Sequence, residues 1–434
     1  MKKNMIYSTL LLLIGGLITK LLGMVIKILM SRNLGIEGLS LYMLVLPTFS
    51  FCILLGQAGF PITLSRMVAY KDKSIPSLYF TVFLFLLLFN ILISIILIIL
   101  APTLSHSFLK NEAAYLPLIG IAFVIPFTTC SNILRSYFIG IQKVFPTVLS
   151  NVIENLLRLF FILWIIPRLK IYTISILVFS IILFNIISET ISTMTLLLFI
   201  PKKKKKISFQ YSYLKETIQT SYPQLLSTLI GNGTYFLEPL IIFHFLTKEY
   251  KASLITQQYG IITGYVFPLI FLPLFFITAI SQVLLPTITK FYKDGQLKKI
   301  TKLLKIETFC IFLFSIGTGL FFRFFSKDLL QLLYHTSYGI NYLKYISIFL
   351  FFIYLEPVFQ YLWIAFGKTK EIMLATTFSS LIRITSLVLL LKCHFGIDSL
   401  LLSLTINLIA TTFFEYERIF LIFKKKRSNP LLKT

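Results

Sequence analysis

This chain of 434 residues is poor in charge: 13% of it is Asp, Glu, Lys or Arg, and acids are the scarcer sign, 16 against 41 bases. A soluble domain carries about a quarter charged residues, so an ordinary water-soluble fold is excluded. Cysteine is scarce as well. Cys52, Cys130, Cys310 and Cys393 stand singly in or beside apolar segments, with no pair at metal-ligand spacing, and read as small core side chains. The four histidines are isolated. There is no P-loop, dinucleotide fingerprint, zinc motif or nucleophile elbow, and no loop exceeds about twenty residues, too few for a soluble catalytic domain. The expectation is a protein that is not an enzyme and carries no cofactor or metal.

What abounds is apolar sequence: 57% of residues are hydrophobic and the mean hydropathy is +0.88. Runs such as 78–101 and 174–200 are each long enough to cross a bilayer. A β-barrel would show short segments of alternating polarity, which are missing. The pattern predicts an all-α polytopic membrane protein with twelve spans, at 8–30, 42–68, 78–101, 115–140, 147–167, 174–200, 218–246, 257–289, 306–325, 342–366, 372–391 and 397–423. The N-terminal run contains Lys20 and lacks a small-residue cleavage site, so it reads as a retained span rather than a signal peptide. The span 257–289 holds Pro268, Pro273 and Pro286 and is expected to kink or break. The segment FFSKDLLQLLYH, after the ninth span, reads as a short amphipathic surface helix.

The formal charge of +25 would suit nucleic acid, but most of the bases fall in short loops, and nucleic acid is not an expected partner. The N-terminus, the even-numbered loops and the C-terminus carry more than twice as many Lys and Arg as the odd-numbered loops. That asymmetry places both termini in the cytoplasm. The most basic loops, 201–217 with Lys202 to Lys206 in a row and 290–305, read as topology signals or as contacts for anionic membrane lipids.

Advancing by 225 residues carries Pro61 onto Pro286, Lys143 onto Lys368 and Arg158 onto Arg383. The chain therefore reads as two related halves in parallel orientation, 1–200 and 218–434, joined by the basic cytoplasmic linker 201–217. Parallel repeats of this kind are a transporter architecture.

The candidate site begins in GGLITKLLGMVIKILMSRNLGIEGLSL (15–41). Lys20 and Lys27 are seven residues apart, on one helix face about 10 Å apart along the axis, with Gly16 and Gly23 on the same stripe. Cations at membrane depth usually face a water-filled cavity or a fixed partner, which points to an anionic cargo. The alternative is that Lys27 snorkels to the surface. Arg158 and Arg383 lie near the middle of spans 5 and 11. Glu154, one turn before Arg158, makes a charge-neutralising pair the structural reading, with a substrate contact as the other. Arg135, Arg66 and Arg418 read as bases snorkelling at cytoplasmic ends. Of the acids within spans (Glu154, Glu189, Glu238, Glu356, Glu415 and Glu417), Glu238 and Glu356 each precede a proline. They suit monovalent-cation or proton coupling, or pairing with a neighbouring base. Glu415 and Glu417 read as surface partners of Arg418.

The segments SRNLGIEGLSLYMLVLPTFSF (31–51), GQAGFPITLSRMVAYKDK (56–73) and Leu134–Phe161 resemble the stage V sporulation protein B group. That group belongs with the polysaccharide and lipid II flippases of the multidrug/oligosaccharidyl-lipid/polysaccharide transporter superfamily. The resemblance is dense over 8–165 and diffuse beyond. It implies two six-helix lobes around a central cavity, alternating access, a bacterial cytoplasmic membrane location and a cargo of undecaprenyl pyrophosphate-linked oligosaccharide or peptidoglycan precursor. It also implies span-1 bases in the cavity, where Lys20 and Lys27 stand, and cell-wall synthesis proteins as partners. Three alternatives remain: a cation-coupled multidrug antiporter of the same superfamily, a non-transporting scaffold in spore or cell-wall assembly, and a glycan polymerase or ligase.

Overall fold

The structure, a computed structural model, describes residues 2–70, 75–200 and 208–428. The Lys202–Lys206 run of the expected linker lies outside the described residues. In chain order the helices are α1 (Lys2–Gln57), α2 (Phe60–Tyr70), α3 (Ile75–Thr103), α4 (Tyr115–Gly140), α5 (Phe145–Phe160), α6 (Ile166–Leu169), α7 (Ile174–Leu198), α8 (Tyr211–Leu246), α9 (Ala252–Gly260), α10 (Phe267–Phe271), α11 (Leu274–Lys293), α12 (Leu297–Tyr334), α13 (Ile340–Ile346), α14 (Leu350–Ala365), α15 (Thr369–Lys392) and α16 (Ser399–Ser428). No strand occurs among the described residues, and twelve helical stretches among them are long and apolar enough to cross a membrane.

The exposed faces are those of a protein dissolved in lipid. On α3, Leu88, Leu92, Ile95 and Ile99 form an outward stripe at helical spacing, while Leu78, Val82, Leu86, Asn90, Ile93, Leu97 and Ala101 face inward. In water that apolar stripe would be an aggregation surface; in a bilayer it is the solvated face.

The span boundaries differ from the sequence pattern in two places. The first two spans run together in one helical stretch, Ile14–Val68, interrupted at Gly35 (φ 68, ψ −171). Positive φ costs glycine little, and a Cβ there would meet nothing within 4 Å, so the break is a demand of the backbone rather than of packing. The eighth expected span divides into Ala252–Phe271 and Leu274–Lys293. The cause is proline: a π-turn at Ile261–Val266 runs up to Pro268, and Pro273 follows at the join. A second π-turn, Phe161–Ile165, runs up to Pro167. Proline supplies no N–H, and a widened turn lets the freed carbonyls find other partners. Past a break at Phe325, FFSKDLLQLLYH is helical and continues α12, with Ser326, Leu330 and Tyr334 buried on one face.

The 225-residue offset is also visible in the backbone. Lys110 (φ 46) and His335 (φ 54) are left-handed at equivalent positions, as are Gln142 (φ 60) and Gly367 (φ 69). The turns before α5 and α15 are thus built alike.

The chain forms two compact units, Met1–Gly260 and Ile261–Thr434. In unit 1, α4 packs on α2, α3 and α7, and α1 packs on α4, α5, α8 and α9. Thus α8 and α9, which follow the linker in sequence, belong to unit 1. In unit 2, α15 pairs with α16, and α14 packs on α11 and α12.

A buried polar pin joins three helices of unit 1. Asn90 Nδ2 donates to the carbonyls of Gly56 (3.0 Å) and Leu86 (2.6 Å), and its Oδ1 accepts from Thr129 Oγ1 (3.0 Å). A Cβ on Gly56 would overlap Asn90 Oδ1. Gly56→Ala should therefore destabilise unit 1 by about 1–3 kcal/mol. Gly16→Ala, with open space around it, should be neutral or mildly stabilising. Thermal unfolding of the two purified variants checks the contrast.

Candidate functional site

Lys20 and Lys27 are carried by α1 on the stripe Gly16–Lys20–Gly23–Lys27. Lys20 is exposed and Lys27 half-buried. A Cβ on either glycine would meet nothing within 4 Å, so the lysines stand beside open space. That space is not the lipid face. The exposed apolar residues of the same helix, Ile14, Ile18, Leu21 and Val25, repeat at the same spacing but on the opposite side. Gly15 packs directly on Val148 of α5, and Asn33 Nδ2 donates to the Ile162 carbonyl at 3.3 Å, so the two segments run side by side in parallel. At about 1.5 Å per residue, these contacts put Lys27 level with the turn from Leu156 to Phe160, which carries Arg158.

Arg158 belongs to a network of four charges on α4, α5 and α7. Its Nη2 lies 2.6 Å from Glu154 Oε1 and 3.3 Å from Glu189 Oε1, and its Nε donates to Ser188 Oγ at 3.3 Å. Arg135 faces the other oxygens of the same acids: its Nη2 pairs with Glu154 Oε2 and lies 3.5 Å from Glu189 Oε2. Arg135 also donates to Asn132 Oδ1 (3.0 Å) and Ser192 Oγ (2.7 Å). Ser131 Oγ donates to Glu189 Oε2 at 2.5 Å. The Glu154–Arg158 pair is thus half of a neutral quartet. Arg135 does not snorkel: its side chain is 12% exposed, against 29% for Arg158. Three inward-facing acids and hydroxyls within reach hold it inside. Tyr42 of α1 lies close enough to feel the Arg158 charge, and Tyr235 of α8 feels both Tyr42 and Glu238. Glu238 itself is buried and engaged with the protein.

The repeat places different chemistry at the same positions of unit 2. Ser131, Arg135, Glu154 and Arg158 correspond to Glu356, Gln360, Ser379 and Arg383. Arg383 is buried and its Nη1 donates to the Leu400 carbonyl at 3.1 Å, tying α15 to the start of α16. That bond engages one guanidinium nitrogen with the backbone of α16. Glu356 Oε1 accepts from Gln360 Nε2 at 3.2 Å. Glu356, Glu415, Ser379, Asn407 and Thr411 line a cavity of about 120 Å³. Asn407 Oδ1 accepts from Ser379 (3.0 Å) and Thr411 (3.1 Å), which orders the polar wall. Space of this size holds a few waters or a partly hydrated cation.

Glu415 and Arg418 depart from the sequence pattern. Glu415, expected at the surface beside Arg418, is buried in the cavity wall. Arg418 instead makes a bidentate pair with Glu371 of α15, Nε and Nη2 each donating at 2.9 Å. Residues three apart are neighbours on a helix face, so the outcome is set by what the adjoining elements present: α15 offers Glu371 to Arg418, while Glu415 faces the cavity. Glu417 and Arg66 are exposed. Glu189 carried no local signal of its role, since its partners lie on other helices; Gln360 sits one turn after its partner Glu356 on α14, and the repeat offset from Arg135 also points to it.

Taken together, fold and site define a multi-pass α-helical membrane protein with polar and ionic clusters inside each unit. Residues 5–292 match the family described as polysaccharide biosynthesis protein, and the chain belongs to that family. It is 25% identical over 433 residues to stage V sporulation protein B of Bacillus subtilis, covering 95% of this chain and 82% of that protein. It is 23% identical over 392 residues to sporulation protein YkvU of the same organism, covering 88% and 86%. Among solved structures, it resembles an inward-facing multidrug resistance MATE family transporter of the MOP superfamily, with a TM-score of 0.74 at 15% identity over 94% of this chain and 96% of that one. It also resembles a MOP superfamily transporter from Pyrococcus furiosus whose binding pocket has reverse polarity, with a TM-score of 0.61 at 15% identity over 98% and 96%.

Proposed function

We propose that this protein is a flippase that carries a lipid-linked glycan precursor, of the undecaprenyl pyrophosphate type, outward across the bacterial cytoplasmic membrane by alternating access, with both termini cytoplasmic. The observation that carries this reading is the Lys20–Lys27 stripe: two cations at membrane depth, flanked by glycines, turned away from the lipid face and level with Arg158. Cations so placed suit a pyrophosphate, whose two phosphates can span the roughly 10 Å between the lysine positions with the help of flexible side chains. Membership of a polysaccharide biosynthesis family supports a glycan on the far side of that pyrophosphate.

The test is labelling of single cysteines at positions 20 and 27, in a chain whose native Cys52, Cys130, Cys310 and Cys393 are replaced. A membrane-impermeant thiol reagent is applied from each side with and without undecaprenyl pyrophosphate. Labelling at both positions, blocked by the lipid, is the expected result. Failure to label from either side would defeat the reading and favour a scaffold.

Coupling belongs to the acidic cavity of unit 2, where Glu356 and Glu415 face a space that a monovalent cation or proton can enter. Glu238 is the weaker candidate because it is already engaged. Gln360 stands where Arg135 neutralises the acids of unit 1. Gln360→Arg should close the cavity electrostatically and uncouple transport from the ion gradient, with cargo binding retained; flux measured against imposed sodium and proton gradients checks it. The same cavity favours a second reading, a cation-coupled multidrug antiporter. Drug efflux that depends on Glu356 and ignores Lys20 and Lys27 would promote that reading over the first.

A further inference from the structure

The quartet in unit 1 is asymmetric in a way that packing alone does not require. Each carboxylate gives one oxygen to each arginine: Glu154 gives Oε2 to Arg135 and Oε1 to Arg158, and Glu189 does the same. Arg135 is further tied to Asn132 and Ser192 and is the more buried. Arg158 is the more exposed, and its Nη1 makes no hydrogen bond among the described residues. We infer that Arg158 is the movable, cargo-facing member of the quartet. Arg135 is the fixed counter-cation that holds both acids when Arg158 turns to an anion, and Glu189 sets how tightly Arg158 is held back. This rests on the anionic-cargo reading above.

The physical reason lies in what would be left behind. Had Arg158 a single private carboxylate, turning to a ligand would strand a buried charge, which is strongly unfavourable. Because Arg135 reaches both acids, each keeps a cationic partner, and the single negative charge left behind is spread over two carboxylates. A guanidinium with one nitrogen already free can then grip a phosphate through two parallel N–H donors, which an ammonium cannot do. The two acids also limit the attraction, because a quartet of zero net charge competes with the cargo for Arg158 and so permits release.

The consequence is an order of affinities that follows the net charge of the quartet. Binding of undecaprenyl pyrophosphate to the full chain in nanodiscs is titrated, with undecaprenol as the uncharged control. Glu189→Gln keeps the shape and the Ser131 contact but leaves the quartet at +1, and should tighten binding about tenfold. Arg135→Gln leaves it at −1 with both acids on Arg158, and should weaken binding about tenfold or more. The double variant, again neutral, should fall between the two single variants. Undecaprenol should bind all four proteins alike. A merely structural network predicts the opposite for Glu189→Gln, since any damage to it loosens the site. Weaker or unchanged binding in Glu189→Gln overturns the inference, and this arm stands even should Arg135→Gln fail to fold. If the unsubstituted chain binds the pyrophosphate but Glu189→Gln is no tighter, only this inference falls. If the unsubstituted chain prefers undecaprenol or binds neither lipid, the cargo reading falls with it.

Discussion

Replacing Lys20 and Lys27 together by Gln is expected to abolish transport and to leave the fold intact. Each ammonium contributes about 1.5–3 kcal/mol when it makes a charge-assisted contact to phosphate, so the pair is worth a loss of two orders of magnitude or more in affinity. The single variants should lose about tenfold each, and Lys→Arg at either position should retain function because charge and reach are kept. Stability should not fall. Neither glycine beside these lysines touches another element, and removing a half-buried cation relieves a desolvation penalty rather than creating one. Growth complementation at normal expression, together with pyrophosphate-lipid binding and thermal unfolding of the double variant, checks the combination. Full transport by the double variant would remove the cationic stripe from the mechanism. Loss of transport with loss of folding would instead show that the lysines are packed against protein.

The second large effect is expected at Glu154, and it is an effect on stability. Its two oxygens separately neutralise Arg135 and Arg158, and its side chain is 7% exposed. Glu154→Ala leaves two buried guanidinium groups to share Glu189 alone. Removing one partner of a buried ionic network typically costs 3–5 kcal/mol, chiefly because charge is left uncompensated. The melting temperature and the yield of monodisperse protein should both drop sharply. Glu154→Ala combined with Arg135→Met should recover part of the loss, because the remaining Glu189 then faces Arg158 alone. Glu417→Ala, on an exposed side chain of α16, should change neither quantity. Equal melting temperatures for Glu154→Ala and Glu417→Ala would show that the quartet contributes nothing to the fold.

The two units illustrate how a duplicated framework diverges. Unit 1 pairs two acids with two arginines, while unit 2, 225 residues on, has Glu356 for Ser131, Gln360 for Arg135 and Ser379 for Glu154, and carries Glu356 and Glu415 on a cavity. Three of the four aligned positions differ between the closed ionic network and the acidic cavity. Gln360 is the aligned residue that hydrogen-bonds a cavity acid, so Gln360→Arg is the informative change for coupling.

The sequence by itself determined what depends on neighbours in the chain. The helical class and the membrane environment follow from apolar runs, which read the same whatever they pack against. The Lys20–Lys27 stripe and the Glu154–Arg158 pair are also legible, because residues seven and four apart share a helix face before any tertiary contact exists. The kinks at Pro268 and Pro273 follow from a missing N–H. Tertiary structure alone decided the rest. Arg135 joins the quartet through Glu189 on α7 as well as Glu154 on α5, and no local spacing announces such a meeting. Glu415 faces a cavity instead of Arg418 because of how α16 is rotated against α15 and α14. Gly35 merges two expected spans into one broken helix, and α8 and α9 settle on α1 rather than with the helices that follow them. Each of these outcomes turns on which faces meet, and that is fixed by packing between segments far apart in the chain.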